Sequence, residues 1–291
     1  MIKGTLIPIG GNEDKGYHQE SRFRMDYISE GILSRVLAES GGSSARVLVI
    51  TTASGIPEEV GASYIDAFGK LGCKQVVTLY IDSKEKADHE DTIQRLQNCD
   101  CVLFSGGNQS KITKNLKNTR FHQLLKERYH HEEFVVAGTS AGAMCMSQEM
   151  IAGGSSIQSF VKGAVKMKKG MKLIPQLIID THFIQRGRFG RIAEAVARFP
   201  DKIGIGLAED TGLIIKKGIN CDVIGSGMVI VFDPGQLTHN MFYQLKENTP
   251  LTMTHLITHV LSAGDSFNIS ERKVTVMPAV KDLLPESVKQ S

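Results

Sequence analysis

Short apolar runs alternating with amphipathic stretches set the pattern of the first half of the chain. Residues 5–9, 46–51, 76–80 and 101–104 are strand-length runs rich in Val, Ile, Leu and Phe, and polar or glycine-bearing residues follow each of them. Between them, Met25, Ile28, Ile32, Leu33, Val36 and Leu37 fall at helical spacing and predict a helix over 25–38. Val60, Tyr64, Ala67 and Phe68 do the same for 58–71, and residues 91–96 fit a third helix. Strand, helix and strand in this rhythm predict an α/β fold with a mostly parallel sheet and helices on both faces. The polar run 13–24 reads as a loop over the sheet edge. A long helix over 111–129 presents Lys111, Lys114, Lys117, Arg120, Lys126 and Arg128, which read as a solvated basic face. The glycine-, serine- and lysine-rich stretch 152–173 predicts a flexible loop. Strands follow at 177–183 and 203–207, and closely spaced apolar runs at 213–215, 223–224 and 228–232 predict an antiparallel C-terminal meander. No repeat or linker breaks the pattern, so a single domain over 1–291 is expected.

Parallel sheets gather ligands at the carboxyl ends of their strands. Gly10-Gly11-Asn12, Gly106-Gly107-Asn108-Gln109 and the turn at Ser140 all occupy such ends and should face one cleft. Phe134, Val135 and Val136 form a buried strand, and Gly138-Thr139-Ser140-Ala141-Gly142 turns it into a helix carrying Ala143, Met144 and Met146. This is a G-x-S-x-G nucleophile elbow in a strand–turn–helix context, although a serine N-cap in a glycine-rich turn has the same spelling. A serine nucleophile needs a base, and the base needs a carboxylate to orient it. Of nine histidines, His182 alone ends a strongly apolar strand. His18, His89, His122, His130 and His131 read as exposed. His255 and His259 have the spacing of metal ligands on a helix, but their segment alternates like a strand and has no carboxylate nearby. For the acid, Asp180, Glu209, Asp210 and Asp233 remain candidates, with Glu209 and Asp210 at the end of the next strand.

Charge narrows the partners. With 34 basic and 31 acidic residues the formal charge is +3, which provides no strong field for nucleic acid or an anionic membrane. The first ten residues lack a signal-peptide pattern, which points to the cytoplasm. Five cysteines without paired metal-ligand spacing read as reduced and buried. No metal or other cofactor is expected.

Five ordered blocks carry a resemblance: Gly106-Gly107-Asn108-Gln109, Gly138-Thr139-Ser140-Ala141-Gly142-Ala143, Asp180-Thr181-His182-Phe183, Arg186-Gly187-Arg188-Phe189-Gly190-Arg191 and Gly204-Ile205-Gly206-Leu207-Ala208-Glu209-Asp210. Together they resemble the motifs of the cyanophycinase family of serine peptidases, relatives of the peptidase E type aspartyl dipeptidases. The resemblance spans from Gly10 to about Phe267 and implies a three-layer, class I glutamine amidotransferase-like sandwich. It places the nucleophile on Ser140, the base on His182, the acid on Glu209 and the oxyanion-hole amides on Gly107 and Ala141. Substrate-recognising positions fall on Gln109, Asp180, Arg186 and Arg191, with Thr181 standing where the family commonly has a glutamine. The implied substrate is cyanophycin or a β-aspartyl peptide, the alternative activity is that of an aspartyl dipeptidase, and the implied assembly is a homodimer.

Overall fold

The computed structural model describes residues 1–17, 25–154 and 160–278. Strand β1 (Thr5–Ile9) lies inside a nine-stranded sheet and runs parallel to β5 (Val135–Thr139). Beyond β5 the parallel half continues through β4 (Cys101–Phe104), β2 (Val47–Ile50) and β3 (Val76–Leu79). On the other side of β1 the sheet turns antiparallel through β10 (Thr211–Lys216), β11 (Asn220–Gly225), β14 (Ser266–Asn268) and β15 (Lys273–Thr275). A second sheet, in the order β13 (Ile257–Ser262), β12 (Met228–Asp233), β9 (Ile203–Leu207), β8 (Leu177–Asp180), has one parallel pair, β8 with β9. The expected meander is therefore corrected: β10 and β11 are a hairpin of the large sheet, while β12 crosses to the small one.

The period-two alternation of the central strands sorts their side chains onto two faces. Ile7, Ile9, Val47, Val49, Leu103, Val135 and Ala137 pack with Ile32, Leu33 and Val36 of α1 (Ile32–Glu39) and Tyr64 and Phe68 of α2 (Pro57–Lys70). Leu6, Leu48, Ile50, Val102, Phe104 and Val136 face the opposite way. They join Ile93 and Leu96 of α4 (Glu90–Asn98), Ile112 of α5 (Gln109–Leu116), Leu125 of α6 (Arg120–His131) and Ile179, Ile205 and Val229 of the small sheet. A short helix α3 (Lys84–Asp88) precedes α4, and the small sheet's outer face packs Ile178, Ile230 and Phe232 on Ile192 and Val196 of α8 (Phe189–Arg198).

Three local expectations change. The helix predicted over 25–38 begins only at Ile32, because the Asp26 carboxylate accepts from the backbone of Ile28 and Ser29 and closes a turn there. The helix predicted over 111–129 is two helices, broken at Asn118 (φ 62°) and restarted by Thr119, whose side chain accepts from the His122 N–H. Inside the second helix His122 and Arg128 are buried, so neither belongs to a solvated face. The stretch expected to be a flexible loop forms an antiparallel hairpin of β6 (Glu149–Gly154) and β7 (Val165–Lys169), while residues 155–159 lie outside the described ones. The loop expected at 13–24 and His18 fall partly or wholly outside them too. The five cysteines are free and buried. Among the described residues no helix is long and apolar enough to cross a membrane.

Arg128 ties α6 to the end of α4. Its guanidinium donates to the carbonyls of Leu96 and Cys99 and lies 4.1 Å from the Phe134 ring centre. Arg128→Ala strips both buried carbonyls of their donor and should lower stability by about 2 kcal/mol in chemical denaturation, with activity per folded molecule unchanged.

Candidate active site

Ser140 sits where β5 gives way to a single helical turn, α7 (Ala141–Met144), with φ 51° and ψ −110°. The flanking glycines make that corner possible. A Cβ on Gly138 would lie 2.6 Å from the Gly142 carbonyl, and one on Gly142 would lie 2.2 Å from the Phe104 carbonyl. The backbone of the elbow thus presses directly on the end of β4, and the serine N–H donates to the Ile9 carbonyl at 2.9 Å. This tight, strained corner matches the geometry expected of the G-x-S-x-G spelling.

The small sheet supplies the other two members. Past the end of β8, His182 adopts φ 48° and its N–H donates to the Gly10 carbonyl at 2.9 Å. Its Nε2 lies 2.9 Å from Ser140 Oγ, and its Nδ1 lies 2.6 Å from Glu209 Oε1. Burial would push the Glu209 carboxyl up, but hydrogen bonds from Asn12 and His182 outweigh it and hold the group below its ordinary range. An ionised carboxylate can only accept, so the proton of the imidazole resides on Nδ1 and Nε2 faces the serine hydroxyl as an acceptor. Asp210 is diverted elsewhere: its carboxylate accepts from the Asp14 N–H at 3.0 Å and the Ser226 hydroxyl at 2.6 Å. Among the described residues the N–H groups of Gly107 and Ala141 donate no hydrogen bond, and Gly107 lines the same cavity as Ser140.

That cavity, of about 330 Å³, is lined by Gly11, Asn12, Gly106, Gly107, Ser140 and His182 together with Glu13, Lys15, Tyr64 and Arg186. The three glycine turns therefore do meet at one cleft, and Arg186 is exposed at it. Four other expected substrate contacts are placed differently. Asp180, Thr181 and Arg191 are buried. The Asp180 carboxylate accepts from Arg188 Nη1 at 3.0 Å and Arg191 Nη2 at 3.3 Å. Arg191 Nε is also 3.1 Å from Asp180 Oδ2, close enough for an ion pair but poorly aligned for a hydrogen bond. This cluster joins the end of β8 to the start of α8, so Asp180 has no free face for a substrate cation. Gln109 spends its side-chain amide on the Ile151 carbonyl at 2.8 Å, bracing α5 against the β6 hairpin.

Sequence reasoning missed Glu13. Assigned to a polar loop, it is buried, accepts from the Thr139 hydroxyl at 2.6 Å and from the Tyr64 hydroxyl, and forms an ion pair with Lys15, whose Nζ lies 3.1 Å from Oε1. Its one local signal is its position directly after Gly11-Asn12 at the carboxyl end of β1. Burial would raise the Glu13 carboxyl, but Lys15, Thr139 and Tyr64 more than offset that, so it stays below 4.5.

Comparison with known proteins places the chain in a peptidase family. Residues 20–220 match peptidase family S51. The chain is 36% identical over 278 residues to a cyanophycinase of Trichormus variabilis, covering 96% of this chain and 89% of that one. A cyanophycinase of Geminocystis herdmanii is 31% identical, with 92% and 94% covered. Among solved structures, a peptidase from an acI-B1 Actinobacterium superposes with a TM-score of 0.64 at 19% identity, covering 92% of this chain and 97% of that one, which speaks to the fold.

Two predictions follow from the site's packing. Gly11 has φ +103°, and a Cβ there would lie 2.4 Å from His182 Cε1. Gly11→Ala should therefore fold but push the imidazole off Ser140, lowering turnover by about 100-fold in a steady-state assay. Glu13 has a folded pKa below its unfolded one, so its stabilising contribution is complete above 4.5 and is lost as pH falls through the lowered folded value. The melting temperature of Glu13→Gln should thus lie below that of the parent at pH 7, and the gap should close as the pH drops below 4.5.

Proposed function

The chain belongs to peptidase family S51, and on that premise we propose that it acts as a serine-type cyanophycinase. It hydrolyses the polymer with a polyaspartate backbone and arginine on each β-carboxyl, releasing β-aspartyl-arginine dipeptides. The observation that carries the reading is the relay from Ser140 Oγ through His182 to Glu209, with contacts of 2.9 and 2.6 Å. Ser140 Oγ attacks the backbone carbonyl while its proton passes to His182 Nε2. The tetrahedral oxyanion takes hydrogen bonds from the Gly107 and Ala141 amides, and Glu209 stabilises the imidazolium without taking its proton. Collapse expels the amine, which leaves with the proton from Nε2, and an acyl group remains on Ser140. Water then attacks with His182 again as base, releasing the new carboxylate and restoring the serine.

The chemistry is complete with three side chains and two amides, so the mechanism calls on no cofactor. Arg186, exposed at the cavity, suits a substrate carboxylate by bidentate pairing. The class I glutamine amidotransferase-like arrangement belongs to the same proposal, supported by a nucleophile elbow after a central parallel strand and a base and acid on neighbouring strand ends. So do a single peptidase domain, a cytoplasmic site of action and a homodimer, the last to be read by sedimentation.

Incubation with cyanophycin and with α- and β-aspartyl dipeptides, followed by mass spectrometry, should yield β-aspartyl-arginine from the polymer; cleavage of the short peptides alone would point instead to an aspartyl dipeptidase. Ser140→Ala and His182→Ala should each fold and lose several orders of magnitude in turnover. Glu209→Gln should cost roughly a thousand- to ten-thousand-fold at neutral pH. Asp210→Asn should mainly cost stability, by about 1 kcal/mol, and the reverse pattern of rates would move the acid to Asp210.

A further inference from the structure

We propose that Lys15 is a specificity-determining residue that binds a substrate carboxylate beside Ser140, an inference that rests on the peptidase reading above. Lys15 lines the cavity that contains Ser140 and His182, and its side chain is 23% exposed. Two contacts fix the ammonium in place. Nζ lies 3.1 Å from Glu13 Oε1 and 4.8 Å from the centre of the Tyr64 ring. Glu13 is already committed elsewhere, since Tyr64 donates to Oε1 and Thr139 to Oε2. An ammonium has three donors, and among the described residues Nζ is ion-paired with Glu13 and makes no side-chain hydrogen bond. The remaining donors therefore serve whatever enters the cavity.

The charge balance selects the class of group. Glu13 is the carboxylate of the cavity lining, it is buried, and it is held by two hydroxyl donors and the Lys15 ion pair, whereas Lys15 and Arg186 are cationic and reach the cavity. A guanidinium entering there meets like charge, while a carboxylate meets two cations. Each arginine of the polymer is joined through its α-amino group and so carries a free carboxylate. The geometry orients that carboxylate toward Lys15 and leaves the substrate guanidinium pointing away from the cavity. Because Glu13 holds both the Lys15 ammonium and the hydroxyl of Thr139, the neighbour of Ser140, the recognised anion and the nucleophile share one brace.

The test compares two synthetic β-aspartyl-arginine oligomers, one with free arginine carboxylates and one with arginine carboxamides, on the parent protein, Lys15→Met and Lys15→Arg. The parent should prefer the carboxylate form. Lys15→Met should raise KM for that form roughly 10- to 100-fold with kcat changed only a few-fold, and leave KM for the carboxamide form unaltered. Lys15→Arg should keep most of the preference. The rate of Ser140 labelling by a fluorophosphonate should be the same in all three, reporting an intact elbow. Retention of the full carboxylate preference by Lys15→Met overturns the assignment while leaving the peptidase reading standing. An equal loss of kcat on both oligomers together with slowed labelling also overturns it, since Lys15 then only braces Glu13. A parent that cleaves neither oligomer removes the reading on which the inference rests.

Discussion

Three successive backbone carbonyls at the end of β1 hold the chemistry in register. Ile9 accepts from the N–H of Ser140, Gly10 from that of His182 and Gly11 from that of Asp210, each at 2.9 Å. The serine comes from the large sheet and the histidine and glutamate from the small one, so no single strand pairing fixes their mutual distance. The tail of β1 does so. β1 is buried along its whole length, with β5 on one side and β10 on the other, and its end has little freedom to move. A site built on a rigid element keeps its reacting atoms within the tolerance that catalysis demands.

The same tail compensates for local strain. Ser140, His182 and Asp210 have φ values of 51°, 48° and 46°, a region that side-chain-bearing residues seldom occupy. Such residues cost of order 1–3 kcal/mol each and persist where the surroundings over-determine them. Here each of the three N–H groups is anchored on the β1 tail, and buried polar clusters back them. Asp180 with Arg188 and Arg191 secures the chain just before and after His182. Glu13 with Tyr64 and Thr139 secures the residue before Ser140. Removing one donor from either cluster leaves a buried carboxylate short of a partner, so both also act as stability elements.

What was legible in the sequence follows from locality. Strands at 5–9, 101–104 and 203–207 have the bounds expected, because each is an apolar run closed by polar or glycine-bearing residues. The elbow was legible because its glycines answer a short-range steric demand. His182 was legible because it ends an apolar strand. The break at Asn118 depends on a cap that competes with a continuous helical pattern, and the burial of Arg128 depends on carbonyls about 30 residues away. Glu13 shows the limit best: its partners Tyr64 and Thr139 are 51 and 126 positions distant, and nothing in the polar run around it announces them. Asp180, Thr181 and Arg191 were expected in the pocket because the family's motif positions fall on them, yet the end of β8 buries Asp180 and Thr181, and Arg191 of α8 turns inward to pair with Asp180.

The most direct test of the account is where a serine-directed reagent reacts. The protein is treated at neutral pH with a fluorophosphonate, digested and mapped by mass spectrometry. A hydroxyl activated by an imidazole 2.9 Å away should give a single adduct on Ser140, formed in step with loss of peptidase activity. An adduct on another residue, or full inactivation with Ser140 unmodified, would contradict it.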